Sequence, residues 1–190
     1  MLAGSEQVEE TYNESDWSGN TIEGVTFDEC VFIGGTFTKA LFEDCRFLQC
    51  EFRGCDFSVA KFPGTRFRDV RFVSCKLSGV DFLKASPGPI AIFDECRLDY
   101  AGFSSMDLRG TQFLRCTALE TDFAEARMEG VDCAGTDFAG ARFSNTDLRG
   151  ANFLEARNYS IDPQNNKVKK AIFDLPEAIN LLRSIGVIIE

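Results

Sequence analysis

The chain has 190 residues, 44% of them apolar, with 30 acidic and 20 basic side chains, a net charge of −10 and no histidine. That length fits one domain with a sizeable core. Without histidine the usual general base and the commonest metal ligand are missing, and the acidic balance argues against binding a phosphate backbone, which needs lysine and arginine.

Residues 1–14 read as a flexible acidic arm, because the first fifteen residues hold four Glu and no base. No Arg-rich leader or apolar signal segment opens the chain, and no run approaches the length of a membrane span. A soluble cytoplasmic protein without membrane contact is the expectation.

From residue 15 to 157 one period dominates. Trp17, Ile22, Phe27, Phe32, Phe37 and Phe42 begin a five-residue series that runs to Phe82, slips by one residue, and resumes from Phe93 to Phe153. Eighteen of the 19 Phe fall on it, and Phe173 is read as outside it. Two residues before each such centre stands a small side chain, as at Val25, Cys30, Ala40, Thr65 and Thr136; two residues after it Gly is frequent, as at Gly19, Gly54 and Gly150. A helix cannot use this period, since five residues at 100° each smear the Phe set around the cylinder. A continuous strand cannot either, because an odd step sends successive Phe to opposite faces. A short extended piece followed by a corner satisfies it. The small residue and the centre then both point inward, the residue between them points out, and the corner falls where Gly makes unusual backbone angles cheap.

The pentads "VDFLK", "TDFAG", "TDLRG" and "ANFLE" resemble those of the pentapeptide-repeat proteins. The resemblance covers about residues 15–157. It implies an all-β fold, a right-handed quadrilateral β-helix with four pentads per coil, here about seven coils and ~34 Å of rod. Residues 20 apart should then stack, pairing Glu51 with Arg71, Asp56 with Lys76, and Asp107 with Arg127 and Asp147. The interruption around Ser86 to Ala91 contains two Pro and reads as a small bulge. All eight Cys occupy inward positions, seven small sites and the centre at Cys133, so they are read as packing and not as disulfides or a metal framework.

Residues 158–190 form a separate segment. "DLPEAINLLRSIG" predicts a short helix with Pro176 in its first turn and Gly186 as its stop, and Val187, Ile188 and Ile189 predict a short apolar strand. This segment is expected to cap the last coil and to join two copies through Ile179, Leu182, Ile185, Val187 and Ile188, giving a rod of about 67 Å. The tail, with "IDPQNNKV" and "LLRSIGVII", resembles the end of the topoisomerase-protecting branch of that family, which includes the Qnr-like quinolone-resistance proteins and the microcin immunity protein. The resemblance implies a homodimer that binds DNA gyrase or topoisomerase IV, relieves poisoning by a drug or peptide toxin, and copies duplex DNA in shape and charge.

On that reading the partner-binding surface is the acidic run Glu120, Asp122, Glu125, Glu129, Asp132 and Asp137. Reversing Glu125, Glu129 and Asp132 should then abolish protection. A dimer carrying −20 over ~67 Å has one net charge per ~3.4 Å, half the density of duplex DNA at ~1.7 Å. The basic cluster Lys61, Arg66, Arg68, Arg71 and Lys76 is left without a role. No catalytic, cofactor or metal residues are identified, no enzymatic activity is expected, and the alternative function is a scaffold that binds an unrelated partner.

Overall fold

The computed structural model describes residues 4–85 and 91–189. The chain winds into a β-solenoid of about eight coils with four faces. Each face is a stack of short parallel strands from successive coils. The first carries Glu6–Val8, Thr26–Asp28, Arg46–Leu48 and Arg66–Arg68 in register. The second runs from Thr11–Asn13 and Val31–Ile33 through Glu51–Arg53, Val70–Val73 and Ala91–Asp94 to Gln112–Leu114. It continues by a bridge at Asp132 to the pair Asn152–Phe153 and Ile172–Phe173. The third face is a line of bridges from Asp16 through Asp56 and Arg97 to Arg157. The fourth starts with Thr21–Glu23 and Leu41–Glu43 and continues through Lys61, Asp81 and Asp122 to Arg142.

The pentad explains this architecture residue by residue. Every Phe from Phe27 to Phe153 is buried. Within a face the rings lie nearly parallel one coil apart, as Phe32 on Phe52 at 4.6 Å and Phe103 on Phe123 at 5.4 Å. Between faces they meet edge to face, as Phe52 with Phe57 at 5.1 Å. Both arrangements suit the ring quadrupole. The corners adopt left-handed backbone whatever residue occupies them, Val59 at φ 58° included. At Gly64, where φ is +66°, a Cβ would fall 2.0 Å from Asp44 Oδ1, so a larger residue there would displace the Asp44 side chain.

The small inward position does more than fill space. Thr136 Oγ1 donates to the Phe113 carbonyl at 2.7 Å and accepts from the Cys116 N–H at 3.0 Å, so one hydroxyl ties two coils. Thr65 does the same between Phe42 and Cys45. The cysteines make the donor half of this pattern: Cys50 Sγ donates to the Phe27 carbonyl at 3.3 Å and Cys116 Sγ to the Phe93 carbonyl at 3.4 Å. All eight are buried free thiols. Burial pushes Cys50 up to about 12 and raises Cys133 as well, which keeps both protonated and inert.

The expected register pairs form: Arg71 opposes Glu51, Lys76 opposes Asp56, and Asp107, Arg127 and Asp147 follow one another. Three details differ from expectation. Strand pairing begins at Glu6, inside the segment read as a flexible arm; Gln7 pairs with Phe27 and Tyr12 with Phe32, so the five-residue frame starts earlier than its first Trp. Phe173 lies in register with Phe153 and so belongs to the frame, which fails only around Asn158, where Tyr159 turns inward instead. These two extensions raise the count from seven coils to about eight. Third, among the described residues no strand follows the helix: Val187 to Ile189 are irregular, and the last short strand is Ile172–Phe173, before the helix.

The helix itself spans Ile179–Ser184, and Pro176 sits in the turn ahead of it. Gly186, at φ +84°, ends the helix; its N–H donates to the Arg183 carbonyl and that of Val187 to the Leu182 carbonyl, a glycine C-cap of the expected kind. The interruption lies outside the described residues except for Ala91. Its effect is visible on either side, because Val70 pairs with Ala91, 21 residues on, where every earlier step is 20. Among the described residues no helix is long and apolar enough to cross a membrane.

Candidate interaction surfaces

A closed solenoid packs its interior with side chains, so what it can bind it must bind on its outside. Among the described residues no three carboxylates or thiols converge as a metal-ligand group. An open groove of about 620 Å³ lies between the helix and the last coils, lined by Asn158, Tyr159, Glu177, Asn180 and Arg183 among others. The rest of the surface is four flat faces and their corners, and charge placement is its chief distinguishing feature.

The six carboxylates of the 120–137 run do not share a face. One coil is 20 residues, so an 18-residue stretch nearly encircles the rod. Asp122 lies on the fourth face, Glu129 and Asp132 on the first and second, Asp137 on the third, and Glu120 and Glu125 on corners. Three of the six are also held by bases of the next coil. Arg142 donates to Asp122, Arg149 bridges Glu129 at 2.7 Å, and Arg157 bridges Asp137 at 3.0 Å. Asp132 accepts from the Asn152 amide at 2.9 Å. Only Glu120 and Glu125 are exposed corner carboxylates without an ion pair among the described residues. The basic cluster is dispersed in the same way: Lys61 on the fourth face, Arg66 and Arg68 on the first, Arg71 on the second and Lys76 on the third.

The unpaired charge lies elsewhere. Residues 4–44 contain ten carboxylates, Glu6, Glu9, Glu10, Glu14, Asp16, Glu23, Asp28, Glu29, Glu43 and Asp44, against Lys39 alone. None of the ten takes part in an ion pair among the described residues, the first of which is Arg53 with Glu51. Residues 45–190 hold 20 acids and 19 bases. The net charge of the rod therefore resides almost wholly in its first two coils. At ~4.8 Å per coil, −9 over those coils is one charge per ~1.1 Å, denser than the ~1.7 Å of duplex DNA. The signal was available in the sequence, but the assumption of a flexible arm assigned four of the ten carboxylates to a segment outside the rod.

Beyond them the first face carries a continuous ladder: Asp107 with Arg109 at 2.6 Å, Asp107 with Arg127 at 3.2 Å, Glu129 with Arg149 at 2.7 Å, Asp147 with Arg149 at 2.7 Å and Asp147 with Lys167 at 3.4 Å. Hydrogen bonds from Arg109 and Arg149 hold Asp107 and Asp147 down at about 2. Their folded-state values lie below the ordinary carboxylate value, so their contribution is full above about pH 4 and is lost as pH falls toward about 2. Thermal midpoints should accordingly be flat near neutrality and fall below about pH 4, and Asp147→Asn should shallow that acid limb. An unchanged limb in the variant would show that the ladder adds nothing to stability.

At the other end the helix turns Leu181 onto the core and leaves apolar side chains outside. Leu182, Ile185, Val187 and Ile188 are exposed, Ile188 at 87%, while Ile179 is half-buried. Leu154, Ile172 and Leu175, on the second face and its corner, add to the same apolar end.

The family model described as "Pentapeptide repeat region" matches residues 20–85 and 46–123, and that described as "Pentapeptide repeats (8 copies)" matches residues 119–154. No curated protein sequence matches the chain. Among solved structures, full-length QnrB1, a plasmid-mediated fluoroquinolone resistance protein, aligns at a TM-score of 0.60 with 20% identity, over 97% of this chain and 99% of that one. A trypsin-treated arginine-to-glutamate variant of QnrB1 aligns at 0.61 with 21% identity, over 99% of each chain. HetL, a pentapeptide-repeat protein involved in heterocyst differentiation regulation in the cyanobacterium Nostoc sp. strain PCC 7120, aligns at 0.49 with 15% identity, over 90% of this chain and 86% of that one.

Proposed function

The chain belongs to the pentapeptide-repeat family, and on that premise we propose that it is a non-enzymatic binding protein that docks on DNA gyrase or topoisomerase IV and protects it from a quinolone or peptide poison. The observation that carries this reading is the concentration of unpaired carboxylates on the first two coils. Such an enzyme grips duplex DNA in basic grooves. A convex rod whose end exceeds the linear charge of DNA is suited to occupy such a groove, whereas the ion-paired body, nearly neutral over residues 45–190, is not. Charge mimicry is thus local to the amino-terminal coils, with Glu120 and Glu125 as the free acids of the middle girdle. The similarity of the fold to QnrB1 and the tail's likeness to the topoisomerase-protecting branch support the same assignment.

The exposed carboxyl-terminal apolar residues join two copies in this proposal and turn both acidic ends outward. Leu182→Asp together with Ile188→Asp should convert a dimer to a monomer in sedimentation equilibrium while the rod stays folded. A wild-type chain that sediments as a monomer at micromolar concentration would remove the two-ended arrangement. The function is tested by DNA supercoiling with purified gyrase and with topoisomerase IV, each with and without a quinolone or a peptide poison. Protein-dependent rescue is the expected outcome; no rescue against either class of poison would favour a scaffold with another partner.

A further inference from the structure

The first face changes sign along the rod. In its first two coils it carries the carboxylates Glu6 and Asp28. From the third coil onward bases dominate. Arg46 opposes Arg66 directly in register, and Arg68 stands two residues beyond Arg66 on the same side of its strand. Like charges opposed across a strand pair repel, yet none of these three arginines takes part in an ion pair among the described residues. Farther along, Arg127 and Lys167 lie in the line of bridges through Asp107 and Asp147. Arg109, Arg149 and Lys169 stand two residues beyond Asp107, Asp147 and Lys167.

From residue 45 onward this face therefore holds eight bases against three acids, Asp107, Glu129 and Asp147, a net +5, while the rest of residues 45–190 holds 17 acids and 11 bases. Depth sharpens the imbalance. All eight bases are exposed, whereas Asp147 is buried and Asp107 and Glu129 are half-buried. The Asp147 side chain is 10% exposed, and those of its partners Arg149 and Lys167 are 47% and 70% exposed. A ligand approaching this face meets guanidinium and ammonium groups before it meets a carboxylate. The near-neutral total of the body conceals the stripe, because the compensating acids lie on the other faces and corners.

We propose that the first face, from Arg46 to Lys169, is a contact surface for the phosphate backbone of duplex DNA. The row is straight because the coils stack in register. Six coil steps of ~4.8 Å make it ~29 Å long, the length of roughly eight base pairs at ~3.4 Å each. A rigid row of cations suits a rigid polyanion, and arginine, which supplies six of the eight bases, presents a fork matched to phosphate oxygens. The outward positions of this face carry no aromatic ring among the described residues, so an unpaired base has nothing to stack on and a single strand gains no extra hold. Contacts to phosphate alone position a duplex without reading its sequence. The row shares no residue with the carboxylates of the first two coils, and its test needs no topoisomerase, so either assignment can fail alone.

The full-length protein is titrated at low salt against a labelled duplex of about 20 base pairs, longer than the row, and binding is read by fluorescence anisotropy. Contacts from the four bases without an ion pair, Arg46, Arg66, Arg68 and Lys169, predict a slope of log K against log salt of about −3.6. Arg66→Glu with Arg68→Glu should weaken binding about tenfold or more and make the slope shallower by about 2, with the melting curve kept. Lys39→Glu with Lys61→Glu changes the net charge equally but off this face, and should weaken binding less than about threefold. No salt-dependent binding, or equal losses from the two pairs of reversals, would overturn the surface. Tighter binding of a single strand of the same length would overturn the duplex as its ligand. Displacement of the duplex by a glutamate-rich peptide at equal charge concentration would make an acidic protein segment the occupant in its place.

Discussion

Replacing Phe93 with alanine is expected to lower the stability of the rod by ~3–5 kcal/mol, the range for deleting a buried aromatic ring. Phe93 is fully buried. It stacks on Phe72 at 5.2 Å and Phe113 at 5.3 Å and meets Phe82 and Phe103 edge-on. It also sits on the first described strand after the 21-residue step, where no redundant layer offsets the cavity. In a solenoid each coil contacts only its neighbours, so stability is close to a sum of coil and interface terms. A hole at this level weakens two interfaces at once. For a chain of this length that corresponds to a fall of roughly 10 °C in the thermal midpoint, read by circular dichroism. A loss under about 1 kcal/mol would mean that the ring is not packed as described, because even one buried methylene is worth about that much.

Thr136→Val is expected to cost about 2–4 kcal/mol, although it keeps the volume and the buried position. The methyl cannot donate to the Phe113 carbonyl or accept from the Cys116 N–H, which Thr136 Oγ1 now serves at 2.7 and 3.0 Å. Each buried group left without a partner costs ~1–3 kcal/mol. Thr136→Ser retains both bonds and loses only a methyl group, so it should cost about 1 kcal/mol. The pair of variants separates the two roles of the small inward position. Equal losses from valine and serine would show that the site acts by packing alone.

The sequence disclosed the interior better than the exterior. The inner column is a pattern of single residue types at fixed spacing, and burial of Phe rings fixes it, so Phe27 through Phe153 could be placed without coordinates. The register followed, which is why Asp107, Arg127 and Asp147 could be aligned in advance. The ends were harder. Gln7 stands at a centre, in register with Phe27, and this polar residue in place of an apolar ring hid a whole coil. Phe173 was missed because the frame fails locally at Asn158, where Tyr159 fills the core instead. The surface is harder to read for a geometric reason. Neighbours on a face are 20 residues apart, so the contiguous acids from Glu120 to Asp137 are dispersed around the perimeter, and Arg142, Arg149 and Arg157, which pair with Asp122, Glu129 and Asp137, come from the next coil. Charge in a solenoid has to be read across coils before it is read along the chain.

The most direct test of this account is the supercoiling activity of purified gyrase in the presence of a quinolone, with the wild-type chain compared against two sets of charge reversals. One set is Glu23→Lys, Glu29→Lys and Glu43→Lys on the first two coils, all exposed and outside any ion pair among the described residues. The other is Glu125→Lys, Glu129→Lys and Asp132→Lys in the middle girdle. The account predicts that the wild-type chain restores supercoiling, that the amino-terminal set abolishes rescue, and that the girdle set reduces it less. Full rescue by the amino-terminal variant, with its fold intact, would contradict it.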